Sequence, residues 1–564
     1  MPRPWNGADM GLFGYLLRTS RRPFLLALAA SVISGAAGAS FIALVNTALG
    51  RAGHVPAAVV WAFAGLCVAT VVTRFLAQNL LFRLSQGFIY RLRRRLVDGI
   101  LDTPLRSVEK LGTPRLYSAL ADDVVVIADA LPGLPMVCFS ATFAVVCVVY
   151  LAVVSPAVAL TSLLALGVAV GVYRMFSAYG MRHLGAAREE QDRLFEHFRA
   201  VTEGTKELKL DRGRREALAG AALDATATTY RRRSVLGLSV FEGAAGSGQA
   251  IFFGLIGVLL FVFPAVFALP ARTLTDSVMV LLFMVSSLQG VLTWLPVLGR
   301  ATVALHKIEE RLEYLEGAGR EKRHDHPAAP ADWQQVGFRG VAHAYPGAAG
   351  EQFVLGPLDF TFRRGEVLFV VGGNGSGKTT LAKLLTGLYL PEKGAVWLDD
   401  REVTDDNRDA YRALFGAVFS DFFLFESLGG LPGADRTAKA EHYLRRLQLD
   451  HKVSIVDDRF STTALSQGQR KRLALLAACL ADRSCYVFDE WAADQDPVFK
   501  EFFYTELLAE LKARNKTVVV ISHDDQYFAV ADRIVRLDYG QIRADRPGED
   551  RRDRTPEEEN SGGR

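Results

Sequence analysis

The stretch VVGGNGSGKTTLAKLLTGL, residues 370–388, sets Gly372, Gly373, Gly375 and Gly377 ahead of Lys378 and Thr379, between the apolar run VLFVV and an amphipathic pattern that predicts a helix. This is the GxxxxGK[ST] spacing, and each part has a task around a row of phosphates. Glycines let backbone amides come close, the helix N-terminus adds its dipole, Lys378 reaches the β and γ phosphates, and the Thr379 hydroxyl ligates magnesium. Asn374, Ser376 and Thr380 complete the loop expected to hold ATP. A second run, CYVFDE (485–490), reads as an apolar strand ending in two acids. Asp489 is expected to hold Mg2+, directly or through water, and Glu490 to position and polarise the attacking water.

Strands must carry these groups, and from Trp333 onward short β-branched runs (EVLFVVGG, AVWLDD, SCYVFDE, TVVVISHD) alternate with helical stretches. Such alternation predicts an α/β domain with a largely parallel sheet. Upstream the chain has a different character. Of the 564 residues 50% are hydrophobic, and the mean hydropathy of +0.17 is high for a wholly soluble chain. Six segments reach the ~20 mostly apolar residues of a membrane span: Phe24–Leu49, Val55–Leu81, Leu131–Val154, Ala157–Tyr173, Ala250–Leu269 and Val278–Leu298. Only Ser155 and Pro156 divide the third from the fourth, so that connection must be tight. The first could pass for a secretory signal, with Arg18, Arg21 and Arg22 ahead of it and GAAGAS inside it. It runs well past the ~7–15 residues of a signal core, so it reads as a retained span.

Loop character sets the expected orientation. Arg83–Asp129, with YRLRRRL, and Arg174–Val240, with YRRRS, are long and basic, whereas the other connections are short and carry few Lys or Arg. The positive-inside rule puts the long loops and both termini in the cytoplasm, with the helices continuing beyond the bilayer. A net charge of +4, with arginines gathered beside apolar stretches, gives no reason to expect a nucleic-acid partner. The five cysteines have no metal-ligand spacing and are expected to be core or lipid-facing thiols. HKIEERLEYLEGAG (306–319) reads as a solvated helix, REKRHDHPAAPADW (320–333) as a polar linker, and the charged tail as disordered. The expected boundaries are a membrane domain over 1–316, a linker over 317–332, an ATPase domain over 333–545 and the tail over 546–564.

Between the phosphate loop and CYVFDE lies LSQGQ (465–469), running into a predicted helix. It resembles the LSGGQ signature of ATP-binding cassette (ABC) proteins, with Gln467 in place of the first glycine. On that resemblance Ser466, Gln467 and Gly468 bind ATP held by a facing subunit; an ordinary Ser helix cap is the alternative. Three further positions match the cassette pattern: Tyr345 in VAHAYPG, the aromatic that stacks on adenine; Asp496 in DEWAADQDP, in the loop that touches the opposite subunit; and His523 in VVVISHD, the switch histidine on the γ phosphate. Most cassettes place a glutamine where AVFSDFFLFESL offers Ser420 or Asp421; Ser420 aligns with it and is taken as the third metal contact beside Thr379 and Asp489.

Six spans ahead of one cassette resemble a half-size ABC exporter: a multidomain membrane protein with a six-helix all-α transmembrane domain fused to an α/β P-loop ATPase. TEGTKELKL (202–210), VFSDFFLF (418–425), LSQGQRKRLAL (465–475) and FDEWAADQDP (488–497) resemble the bacterial branch that exports cyclic peptides and siderophores. The resemblance implies an ATP- and Mg2+-dependent homodimer in the bacterial inner membrane, moving an amphipathic peptide-like substrate through the lipid bilayer by alternating access. Glu490 and His523 would be its catalytic residues. GTPRLYSAL (112–120) and TEGTKELKL are the bends expected to rest on the cassettes. A lipid or multidrug exporter is the alternative, followed by a siderophore importer and a non-transporting membrane ATPase regulator. Asn46, Gln249, Gln289, Glu242 and Asp276, in or beside the spans, are candidate substrate contacts or helix-to-helix bonding groups.

Overall fold

A computed structural model of the chain describes residue 14 and residues 21–49, 56–267, 270–321, 330–346, 352–430 and 435–548, apart from the side chains of residues 47, 49, 345, 346 and 352. Both chain termini and residues 322–329 of the linker lie outside the described residues. The chain divides into two compact units, Met1–Val97 with Pro114–Glu313, and Asp98–Thr113 with Tyr314–Arg564.

In the first unit the apolar runs become helices, because within lipid only a helix or a closed barrel satisfies every backbone N–H and C=O. Six helical segments among the described residues are long and apolar enough to cross a membrane. They are built on α1 (Arg21–Leu49), α2 (Ala57–Asp102), α4 (Gly133–Val154), α5 (Pro156–Glu203), α7 (Leu223–Phe261) and α8 (Ala271–Gly317); the short α3 (Leu105–Leu111) and α6 (Thr205–Leu210) lie between them. At 46 residues, α2 is about 70 Å long, more than twice the ~30 Å hydrocarbon thickness, so the long helices carry polar extensions as expected.

The tight connection is realised at one residue. Ser155 ends α4 in extended geometry and Pro156, its missing N–H harmless at a first helical position, starts α5. The fifth span differs from the expected Ala250–Leu269. Helix α7 breaks at Val262, ahead of a short helix Phe263–Phe267. Pro264 supplies the reason, since it cannot donate to Leu260 and its ring crowds that turn. Side chains from five helices, including Ile42, Phe143, Cys147, Leu151, Val158, Phe252, Leu255 and Met284, form one apolar core. Farther along, α5 and α7 are tied by charge, with Arg233 of α7 at 3.4 Å from the buried Glu190 of α5.

The second unit is built on two sheets and a two-stranded ribbon of β7 (Ile455–Val456) and β8 (Arg459–Phe460). Strands β3 (Val367–Gly372), β10 (Thr517–Ile521), β9 (Cys485–Asp489) and β6 (Phe415–Val418) run parallel. With β11 (Arg533–Asp538) and β12 (Gln541–Pro547) they make a six-stranded sheet in the order β12-β11-β3-β10-β9-β6. The four-stranded sheet β2-β1-β4-β5 is antiparallel, from β1 (Gln335–Pro346), β2 (Gln352–Arg363), β4 (Lys393–Leu398) and β5 (Arg401–Glu402). Strands β9 and β10 are buried at every position, as a parallel strand covered on both faces must be. Their alternate side chains feed two cores, Val487, Val519 and Ile521 into one and Phe488, Val518 and Val520 into the other.

Residues 98–113 pack in this second unit. Glu109 of α3 accepts from Lys383 at 2.9 Å and from the Tyr389 hydroxyl, Arg106 donates to the Ala344 carbonyl at 2.7 Å, and Leu105 meets the apolar core. The contact thus lies just ahead of the expected GTPRLYSAL, whereas TEGTKELKL, the end of α5 together with α6, belongs to the first unit. Thr103 bonds the Leu315 carbonyl at 3.2 Å, and the amide of Glu321 donates to the Asp102 carbonyl at 2.7 Å. The Glu321 carboxylate in turn pairs with Arg412 and, at 3.3 Å, with Arg408, whose side chain is 3% exposed. Glu321→Ala leaves that buried guanidinium with Asp405 at 2.9 Å as its remaining near partner. The expected loss is about 1–3 kcal/mol, read as a lower melting temperature of the purified full-length protein; an unchanged melting temperature contradicts a stabilising role for Glu321.

Candidate active site

The loop between β3 and α9 (Lys378–Leu385) curls as the glycine spacing requires. Gly377 has φ 99, and a Cβ there would stand 2.8 Å from Leu355, so any other residue is both strained and crowded. The Lys378 ammonium turns back onto the Gly372 and Gly373 carbonyls at 3.0 and 2.9 Å. The loop borders a cavity of ≈ 360 Å³ lined by Asn374, Gly375, Gly377, Lys378, Thr379, Thr380, Glu490 and Phe353. Ser376 is buried beneath it, its hydroxyl without a partner.

Neighbouring strands deliver the acids. Asp489 ends β9 with 1% exposure. Its Oδ2 accepts from the Thr379 hydroxyl at 3.0 Å and the Ser420 hydroxyl at 3.4 Å, while its buried Oδ1 has no partner. Ser420 therefore meets Asp489, whereas Asp421 is an exposed residue of the same turn. Glu490 adopts a left-handed φ of 51. Its Oε1 lies 4.0 Å from Lys378 Nζ and 3.4 Å from His523 Nε2, beyond the end of β10.

Burial lowers the pKa of Lys378 against the pull of Glu490 and Asp489. Burial likewise raises that of Asp489, helped by the Glu490 charge and opposed by the Thr379 and Ser420 hydrogen bonds. Each shift has the sign of a group short of counter-charge. An unpartnered carboxylate oxygen with two hydroxyls on its neighbour is the oxygen donor set a small divalent cation takes, so Thr379, Asp489 and Ser420 fit Mg2+.

The other expected residues lie elsewhere. Ser466, Gln467 and Gly468 open α10 (Gln467–Leu480), and neither they nor Asp496 line the cavity. Ser466 caps α10, its hydroxyl accepting from the Gln469 amide at 3.4 Å while the Ser466 amide donates to the Gln469 side-chain oxygen at 3.3 Å, so the ordinary capping role is realised. Asp496 caps α11 (Pro497–Glu501) and pairs with Arg472 at 2.7 Å. Tyr345 sits on β1, but its side chain lies outside the described residues. Directly opposite it on β2 is Phe353, whose ring borders the cavity. No local motif marks Phe353; only the pairing of β1 with β2 does. Lys471 and Asp494, bonded at 2.7 Å, also escaped sequence reasoning, although the i, i+4 spacing of Gln467 and Lys471 puts them on one helix face.

Residues 24–209 match the family described as the ABC transporter transmembrane region, and residues 355–493 match the family described as ABC transporter. Over 545 residues the chain is 37% identical to the ATP-binding protein SyrD of Pseudomonas syringae pv. syringae, covering 93% of this chain and 95% of that protein. The subtilin transport ATP-binding protein SpaT of Bacillus subtilis is 31% identical over 224 residues, 37% of this chain and 36% of that one. A bacterial Atm1-family ABC exporter with ATP bound superposes with a TM-score of 0.73 at 17% identity, covering 95% of this chain and 96% of that one.

If Lys378 is the phosphate ligand, Lys378→Ala removes charge-assisted bonds and weakens ATP binding by about 10- to 100-fold. Titration with a fluorescent ATP analogue measures this, and an unchanged affinity removes the lysine from the site.

Proposed function

Because this chain belongs to the ABC transporter family and is a multi-pass membrane transport ATPase with an exporter-type fold, we propose that it is an ATP-driven exporter of a peptide-like secondary metabolite. The observation that carries the catalytic part is the convergence of Lys378, Thr379 and Glu490 on one cavity, with Asp489 bonded to Thr379, His523 beside Glu490 and one Asp489 oxygen unpartnered. In this reading the loop amides and Lys378 hold the β and γ phosphates. Phe353, with Tyr345 across the strand pair, borders the nucleotide. Glu490 takes up the proton of the attacking water, and His523 beside it holds the γ phosphate in line. Mg2+ on Thr379, Asp489 and Ser420 would neutralise charge developing on the phosphates.

One chain has one phosphate loop and one signature, and the signature does not line the chain's own cavity. A second copy then supplies Ser466, Gln467 and Gly468 to each site, so the working unit is a homodimer with two equivalent pockets. ATP clamps the cassettes together through contacts made only in the closed state, and hydrolysis releases them, driving the membrane helices between openings to either side. In this reading the machine sits in the bacterial inner membrane with both termini in the cytoplasm, which the long basic loops support.

For the cargo, the motifs that resemble the peptide and siderophore export branch favour a peptide-like molecule. The apolar spans carry sparse carboxamides, Gln289 donating to Gln249 at 2.9 Å and Asn46 facing the Tyr150 hydroxyl at 3.5 Å. Amide groups of this kind suit an amphipathic, amide-bearing substrate; a lipid exporter is the second reading, favoured by the apolar walls alone.

Glu490→Gln should lower ATP turnover by about 100-fold or more while ATP binding stays within a few-fold and the dimer lives longer. Wild-type turnover in that variant removes Glu490 from its role. Inverted vesicles should accumulate a lipopeptide in an ATP-dependent manner; accumulation of phospholipid with no lipopeptide overturns the cargo class.

A further inference from the structure

Among the described residues two lysines are buried, Lys378 and Lys471. The first belongs to the phosphate loop; the second, 3% exposed, has no part in the site described so far. An ammonium group is costly to bury unless paired and hydrogen-bonded, and every group that satisfies Lys471 lies in one short turn. Its Nζ donates to the backbone carbonyl of Glu490 at 2.8 Å and pairs with Asp494 at 2.7 Å, and its own carbonyl accepts from the Trp491 indole at 2.8 Å.

That turn includes the left-handed Glu490, a conformation that costs a non-glycine residue about 1–3 kcal/mol and persists only where the surroundings over-determine it. Three bonds do so here. On one side the Glu490 amide donates to the Ile521 carbonyl of β10 at 3.1 Å, and on the other its carbonyl accepts from Lys471 and from the Ala493 amide at 3.3 Å. The Glu490 backbone is thus fixed between the central sheet and helix α10, with its carboxylate directed at Lys378 and His523.

The same helix begins with the signature, which is fastened to the same turn. Gln467 donates to the Asp494 carboxylate at 3.2 Å, and Gln495 donates to the Gly468 carbonyl at 3.1 Å. A Cβ at position 468 would stand 2.9 Å from the Asp494 carbonyl, so the two segments touch backbone to backbone. Asp494 is therefore shared by the residue that replaces a signature glycine and by the lysine that holds Glu490.

We infer that Lys471, anchored by Asp494, is a positioning residue for Glu490, and that Gln467 on the same carboxylate ties the placement of Glu490 to the signature turn. Resting on the composite-site reading above, the inference adds a route between the two pockets of the dimer. The signature of one chain touches nucleotide held by its partner, and the turn behind it sets the water-polarising carboxylate of its own pocket.

The test is steady-state ATP turnover of the full-length protein in nanodiscs, with Glu490→Gln measured in parallel. Lys471→Met should lower kcat by about tenfold or more, since misplacement by about 1 Å can cost a hundredfold, and leave KM for ATP within about twofold. Lys471→Met/Asp494→Ala leaves neither charge unpaired, so it keeps the wild-type melting temperature and still shows the loss in kcat. Gln467→Ala should lower kcat by a smaller factor, about threefold, through the same carboxylate. Wild-type kcat in the double variant, or a loss that appears only together with a fall in melting temperature, overturns the positioning role. Unchanged kcat in Gln467→Ala overturns the link to the signature. If Glu490→Gln itself turns over normally, the site reading fails; if it is inactive while both Lys471 variants run at full speed, only this inference fails.

Discussion

Three neighbouring parallel strands end together, and the chemistry follows from that. In the order β3-β10-β9 their carboxyl ends deliver the phosphate loop, His523, and Asp489 with Glu490. Backbone pairing fixes the offsets: Ile521 lies opposite both Val370 and Asp489, so the three ends share one register. Ligands of open parallel sheets bind at this edge for the same reason, because strand ends and helix N-termini converge there. The burial of β9 and β10 on both faces keeps the edge rigid. An apolar core thus sets the positions of a charged site.

The charges at that edge are held short of full compensation. Lys378 is buried among its own loop carbonyls, Asp489 keeps one unpartnered oxygen, and the Ser376 hydroxyl has none to bond. A fully satisfied polar network would stabilise the fold more but would leave nothing for a ligand to complete. The structural charges are handled differently. Arg408 and Lys471 are buried as deeply as the loop lysine, yet both are paired, with Glu321 and Asp405 in one case and Asp494 in the other.

Much of this was legible from residue order, for identifiable reasons. The phosphate loop, the strand ending in Asp489 and Glu490, and the single-residue connection at Ser155 are local features whose physics lies within a few residues. The six spans are legible because lipid removes all alternatives to helix. The break of α7 at Val262 was missed although Pro264 stands in plain view, because hydropathy alone sets no helix end. Phe353 and the Lys471–Asp494 pair were missed because strand register and tertiary pairing create them. The groups that pack α3 in the ATPase unit, Arg106 and Glu109, stand just ahead of GTPRLYSAL, and tertiary pairing rather than a local motif marks them.

Helix α9 joins the candidate site to α3. Its first residue is Lys378 of the phosphate loop, and its last turn carries Lys383, which pairs with Glu109 of α3. Eight residues of helix span about 12 Å with every central backbone bond internal, too short and stiff to absorb a displacement by bending. Glu109 follows directly on α2, and the Asp102 carbonyl at the end of α2 is bonded to Glu321, just beyond α8. The segments that follow α2 and α8 are therefore gathered beside α9 within the ATPase unit. Without the Glu321 carboxylate on Arg408 and Arg412, those segments would keep their contact with α9 but lose their hold on the rest of the ATPase unit. A small carboxylate in a polar linker thus ties the segments beyond α2 and α8 to the rest of the ATPase unit, with Glu321 set between Arg408 and Arg412.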